Sequence, residues 1–227
     1  MTKTPTDINK AYLTWQALTH GPRHIVGELV RDNFGRVTFR YLAGPDLEEA
    51  KKQGFKGHTA FPLDTGKLYK ENALEVFAAR LPDRSRGDFK EFLSYWEIED
   101  PNADTFTLLV LSGARLPTDN YELIASHEEF DSCEFLSDLA GIPYAEKKDR
   151  LDLPEGTPLE LKRDSQNQYD SYAVSVYYHG KRLGYLKKVC SRDVAKAIER
   201  GVVVKAEVRR IVQNGIVKSV LLKIRIG

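Results

Sequence analysis

The sequence predicts an α+β protein of two domains, and three observations predict it. The first half mixes alternating apolar stretches with helically spaced ones. A polar stretch, "SHEEFD" at residues 126–131, then interrupts the pattern. After it the chain is mainly strand-like, with one helical segment, and it closes on two long alternating runs that meet at Asn214-Gly215. At 227 residues, one or two domains are expected.

Taken in order, residues 1–10 read as a frayed N-terminus. "AYLTWQAL", "HIVGELVRD" and "RVTFRYL" then read as three strands, the last two joined by a hairpin signal at Asp32–Gly35. Asp46–Gln53 reads as a short helix that Asp46 could cap and Gly54 could end. "ENALEVFAARL" places Leu74, Phe77, Ala78 and Leu81 on one helical face. "SRGDFKEFLSYW" does the same with Phe89, Phe92, Leu93 and Trp96, and Pro82 separates the two. The apolar run in "DTFTLLVLSGARLP" fits either a helix or a buried strand. These elements make a small N-terminal sheet with helices over residues 11–127.

Residues 131–227 form the second domain. Its strands are "LELKRD", "YAVSVYYHG", "KRLGYLKK", "VVVKAEVRRIVQ" and "IVKSVLLKIRI". One helix, "SRDVAKAIERG", interrupts them, with Ser191 as its cap and Gly201 as the residue just past its end. Asn214-Gly215 is a hairpin turn, because both residues tolerate positive φ.

Composition narrows the function classes. Apolar residues make up 41% and charged residues 30%, which is ordinary for a globular chain. No apolar run approaches the ~18 residues that a membrane span needs, and "MTKTPTDINK" has no apolar signal-peptide core. Cys133 and Cys190 are the two cysteines, too far apart for a CxxC module. A cytoplasmic protein without membrane contact is the expectation. Net charge is +1, but from Lys162 onward there are fifteen Lys and Arg against five Asp and Glu. Such asymmetry fits either a polyanionic partner or a solvated basic surface.

Catalytic patterns are weak. "DTG" at Asp64–Gly66 occurs once and reads as a turn. Gly66-Lys67 lacks the rest of a P-loop, and the five histidines form no HExxH. No cofactor, metal site or catalytic residue is expected. The second domain instead alternates basic and aromatic residues: Lys162, Arg163, Tyr169, Tyr172, Tyr177, Tyr178, Lys181, Arg182, Tyr185, Lys187 and Lys188. This mixture binds single strands, cations neutralising phosphates and aromatic faces stacking on bases. Some tyrosines must fill a small core, and strand alternation makes one of Tyr177 and Tyr178 a core residue. Asp170 stands apart, since a carboxylate repels phosphate. Asn167 and Asp170 could bond their own backbone in a turn, or Asp170 could accept a hydrogen bond from a sugar hydroxyl.

"GIPY" (Gly141–Tyr144), "GTPLELKRDSQNQYDSYAVSV" (Gly156–Val176) and "GKRLGYLKK" (Gly180–Lys188) resemble the HIRAN domain over about 131–225. The resemblance implies a compact OB-like β-barrel that binds the 3′-hydroxyl end of single-stranded DNA, with RNA left open. It implies base stacking by Tyr144 and Tyr169, acceptance of the terminal 3′-hydroxyl by Asp170, and a phosphate contact by Lys188. Arg163, Asn167, Tyr185 and Lys187 complete the expected nucleic-acid site. Pro143 and Tyr185 stand where helicase-borne HIRAN domains can have arginine and histidine.

The first domain resembles the N-terminal subdomain of HipA-type kinases over about 11–125. "HIVGELVRDNFGRVTFRYL" and "ENALEVFAARLPD" carry that likeness, and the kinase core is missing. The resemblance implies docking on a separate HipA-like kinase; a DNA-processing enzyme is the other possible protein partner. The leading expectation is a non-catalytic nucleic-acid-binding protein whose first domain contacts protein. The alternative is an antitoxin-like regulator of a kinase.

Overall fold

A computed structural model describes residues 8–17, 22–116, 119–128, 130, 132–142, 152–214 and 216–227. It contains two compact units, one ending at Ser126 and the other beginning at His127.

The first unit is built on an antiparallel sheet. Its strands are β1 (Lys10–Gln16), β2 (Arg23–Arg31), β3 (Val37–Tyr41) and, much later in the chain, β6 (Tyr121–Ala125). Their order is β3-β2-β1-β6, so the last strand pairs with the first. Between β3 and β6 come α1 (Pro45–Lys52), the short pair β4 (Gly57–His58) and β5 (Phe61–Pro62), then α2 (Ala73–Ala78), α3 (Phe89–Tyr95) and α4 (Thr105–Ser112). Aromatic rings fill the centre: Phe39 packs on Tyr41, Phe61, Tyr69 and Phe77. The predicted faces of α2 and α3 bury Phe77 and Leu93, but α2 ends at Ala78 and α3 at Tyr95, so Leu81 and Trp96 lie past the helix ends.

Three local features differ from the sequence reading or resolve it. Asp46 does not cap α1, which starts at Pro45 behind an uncapped Gly44. The Asp46 carboxylate instead accepts the Ile25 amide at 3.3 Å, because helix and strand lie side by side. The ambiguous "DTFTLLVLSG" run is the helix α4. Asp104 accepts the Thr107 amide at 2.9 Å, and Gly113 ends the helix at φ +71°. "DTG" is a turn in which the Gly66 amide donates to Asp64 Oδ1.

The second unit is a closed six-stranded barrel. Its strands are β7 (Cys133–Ala140), β8 (Pro158–Arg163), β9 (Val174–Tyr178), β10 (Lys181–Leu186), β11 (Val204–Asn214) and β12 (Ile216–Ile226). Their order around the barrel is β10-β7-β12-β11-β8-β9, all pairs antiparallel. β7 has no counterpart in the sequence reading. The hairpin residue Gly215, the GIPY residues 143–144 and the N-terminal residues 1–7 lie outside the described residues. The core includes Phe135, Leu139, Val174, Val176, Leu183, Val208, Val220, Leu222 and Ile224, all under one-tenth exposed. Each such side chain contributes roughly 1.5–3 kcal/mol on burial.

One helix, α5 (Lys188–Glu199), packs against β9, β10 and β11. It begins three residues before Ser191, so Ser191 is not its cap. That side chain is fully buried, accepts the Val174 amide at 3.3 Å and donates to the Leu186 carbonyl at 3.1 Å. It thereby joins the helix to the start of β9 and the end of β10. Gly201 does close the helix, at φ +75°. Its amide bonds the Ile198 carbonyl and the Val202 amide bonds Ala197, the paired bonds of a Schellman ending.

Candidate nucleic-acid interface

The segment between β8 and β9, residues 164–173, is a loop closed at both ends by its own side chains. Asn167 holds the middle. Its Oδ1 accepts the amides of Tyr169 at 2.9 Å and Asp170 at 3.1 Å, and its backbone amide donates to the Asp164 carbonyl. Asp170 continues the pattern, with Oδ1 accepting the Tyr172 amide at 2.9 Å and its carbonyl accepting the Ala173 amide. Short polar side chains that bond two residues ahead fix turns in this way. Arg163 secures the far side, donating to the carbonyls of Ser171 and Ala173 and to Glu199 of α5.

The consequence falls on Tyr169. With its backbone held, its side chain projects outward at 83% exposure, the most exposed aromatic among the described residues of the barrel unit. A second aromatic, Tyr185 on β10, joins the same loop through its hydroxyl, which donates to Asp164 Oδ2 at 3.0 Å. Asn167 Nδ2 lies 3.5 Å from the same Asp164 oxygen. Burial, and then the Asp164 bond, hold the Tyr185 phenol above its ordinary ionisation range. Arg182 completes the chain by donating to the Tyr185 hydroxyl at 2.8 Å, with its guanidinium 5.1 Å from the ring centre.

Two glycines permit this arrangement. A Cβ on Gly184 would lie 2.5 Å from the Ala140 carbonyl oxygen, so β10 can approach β7 only with glycine there. Gly141, at φ +62°, follows β7 directly beside the Tyr185 ring, its notional Cβ 3.7 Å from Cδ2. Tyr144 itself lies outside the described residues.

Of the expected site residues, Asn167, Tyr169, Asp170 and Tyr185 come together through hydrogen bonds, with Arg163 bracing them. Lys187 is turned to another task. Its ammonium donates to Asp138 on β7 at 2.9 Å, and both side chains are nearly buried. Lys188 is the first residue of α5. Neither Tyr177 nor Tyr178 is a core residue; both are half-buried, because Val174, Val176 and Leu183 already fill the interior there. Tyr177 carries Lys162 over its ring at 4.7 Å, and Tyr178 packs edge-on against His179. Asp164 was missed. A lone Asp after a strand gives no sign of a partner twenty-one residues on.

Residues 134–225 match the family model of the HIRAN domain. The match covers the whole barrel apart from the first residue of β7 and the last of β12. Two solved structures are similar to part of the chain. One is the crystal structure of the HIRAN domain of human HLTF, 18% identical, covering 43% of this chain and 80% of that one, with a TM-score of 0.35. The other is a protein from Lactobacillus plantarum, 22% identical, covering 42% of this chain and 94% of that one, also with a TM-score of 0.35. A search of curated proteins finds no match. Among the described residues no helix is long and apolar enough to cross a membrane.

Proposed function

We propose that the HIRAN region binds single-stranded nucleic acid without chemistry, at the 3′-hydroxyl end of a DNA strand. The observation that carries this reading is the Tyr169 ring, 83% exposed on a turn that Asn167 locks from below. An exposed aromatic on a fixed backbone offers stacking area at low entropic cost. Asp170 follows it directly, and in the HIRAN resemblance that position accepts the terminal hydroxyl. A carboxylate accepts a hydroxyl proton but repels a phosphate, so an end is preferred to an interior. Arg182 and Lys188 are the cations we assign to phosphate. Lys187 serves the fold through Asp138.

The test compares binding of a single-stranded oligonucleotide with a 3′-hydroxyl end, the same strand with a 3′-phosphate, and its duplex. The hydroxyl-ended single strand should bind most tightly. Equal affinity for all three would sink the end-recognition reading, and no binding would sink the nucleic-acid reading.

A second reading concerns the first unit. Phe34 is 85% exposed at the β2–β3 hairpin tip, where Asp32 Oδ1 fixes the turn by accepting the Phe34 and Arg36 amides. A rigid exposed aromatic suits a protein contact, and the HipA-like pattern supports a kinase as the partner. Titration with a purified HipA-type kinase tests this. Binding that Phe34→Ser weakens supports a regulatory role, and no binding removes it.

A further inference from the structure

A regular strand points residues three apart in opposite directions, so Arg182 and Tyr185 should lie on different faces of β10. They do not, because β10 bulges. Arg182 pairs with Tyr177 of β9, Gly184 with Val176 and Tyr185 with Ser175, which leaves Leu183 as the extra residue. Leu183 is only 4% exposed. A bulge turns one side chain onto the other face, and here it places Arg182 and Tyr185 together on the outside.

The neighbours on that face are fixed by register. Val174 and Val176 point into the barrel, so Ser175 and Tyr177 point outward. Across β8, Ser175 faces Lys162 and Tyr177 faces Glu160. The outer face therefore carries two cation–tyrosine pairs on adjacent strands. Arg182 lies over Tyr185, and Lys162 lies over Tyr177 at 4.7 Å. Ser175, small and 3% exposed, sits in the register position between Lys162 and Tyr185. The Arg182 bond to Tyr185 uses only Nη1. Glu160, paired with Lys162 at 3.0 Å, puts a carboxylate at the far side.

We propose that this face of β8, β9 and β10 is a stacking track for the nucleotides upstream of the bound 3′ end, running from Tyr185 over Arg182 to Tyr177 and stopping at Glu160. The proposal rests on the end-binding reading above and extends it. Tyr185 links the two, since its hydroxyl reaches Asp164 at the base of the Tyr169 loop. The two tyrosines stand on adjacent strands, ~4.8 Å apart, and are offset by two positions along them, because Tyr185 faces Ser175 and not Tyr177. Lys162 and Arg182 supply positive charge beside each ring, and backbone phosphates lie to the side of stacked bases.

The experiment measures affinity of the full chain for 3′-hydroxyl oligothymidylates of increasing length, by fluorescence anisotropy. Affinity should rise about fivefold or more when the strand becomes long enough to reach Tyr177, then level off. Tyr177→Leu keeps an apolar side chain but removes the ring. It should abolish that gain and leave the shortest strands bound as before, and Tyr177→Phe should restore it. If the shortest strands bind but length adds nothing in the wild type, or if Tyr177→Leu keeps the full gain, the track is wrong while end binding stands. If no length binds, both are wrong.

Discussion

The Tyr185 hydroxyl donates to Asp164 Oδ2 across 3.0 Å, and this bond ties β10 to the loop that presents Tyr169. It also adds to the rise in the phenol's pKa. Burial raises the Tyr185 pKa first, and the Asp164 hydrogen bond raises it further. Asp164→Asn removes the charge and keeps the shape. The Tyr185 ionisation midpoint, followed by NMR on ring-labelled tyrosine, should then move to lower pH. The sign for stability follows. The folded state keeps the phenol proton longer than the unfolded chain, whose tyrosines ionise near ~10. The stabilisation tied to this group is therefore fully present and independent of pH near neutrality, and is lost as pH rises past that value. The alkaline fall should be smaller in Asp164→Asn. An unmoved midpoint would show that Asp164 is not what holds the proton.

Arg182 and Lys187 should separate in their salt dependence. Arg182 is exposed, and its hydrogen bond to Tyr185 through Nη1 leaves part of its guanidinium for phosphate. Lys187 is nearly buried against Asp138. Arg182→Ala should make the log–log dependence of affinity on salt shallower by about 0.7, the value for one phosphate on a single strand. Lys187→Ala should leave that slope alone and lower stability, because a shielded carboxylate loses the ammonium bonded to it at 2.9 Å; the cost is about 1–3 kcal/mol. Asp138→Asn in the same chain should recover part of that loss. Equal slope changes for the two variants would contradict the division.

Barrel closure depends on Gly184. A methyl group there would meet the Ala140 carbonyl oxygen at 2.5 Å and the Leu139 side chain at 3.0 Å. Backbone cannot give way without breaking the β7–β10 pairing at Tyr185–Ala140 and Leu186–Leu139. Gly184→Ala should therefore cost more than the ~1 kcal/mol of an average substitution and remove oligonucleotide binding with it. Ser191→Ala offers a milder comparison, losing the acceptor for the Val174 amide at about 1–3 kcal/mol. Urea unfolding measures both. A Gly184→Ala protein as stable as wild type would mean that β10 need not lie so close.

Much of this fold was legible because it follows local rules. Alternation marked β9, β11 and β12, helical spacing marked α2 and α3, and glycine marked the end of α5. β7 was harder. Its inward positions are Cys133, Phe135, Ser137 and Leu139, and a serine among them blurs the apolar alternation. Ser191 misled for a related reason. A serine before an apolar helix reads as a cap, and only the packing of α5 on β9 and β10 shows that its hydroxyl bonds across elements. In the site, Asn167 and Asp170 were readable because their bonds span two or three residues. The Asp164–Tyr185 bond and the Leu183 bulge depend on how distant strands register, and no local pattern encodes that.

Asp170 has two roles to distinguish, and the structure suggests how. Its Oδ1 accepts the Tyr172 amide at 2.9 Å, so part of its work is to hold the turn. Asp170→Ala removes that acceptor along with the charge and would confound the two roles. Asp170→Asn keeps an oxygen at the same place and removes only the charge. A 3′-phosphate brings about −1.5 to −2 charges to the site at neutral pH, which the native carboxylate repels and the amide does not. Asp170→Asn should thus unfold at nearly the wild-type temperature and bind 3′-hydroxyl strands less tightly, since a bond to a charged acceptor is worth ~1.5–3 kcal/mol. It should also lose most of the preference over 3′-phosphate strands. Tyr169→Ala should weaken both ends by a similar factor, because stacking does not sense the terminal group. If Asp170→Asn keeps the wild-type preference for the hydroxyl, Asp170 is a turn residue alone, and the discrimination must come from the backbone amides that Asn167 positions.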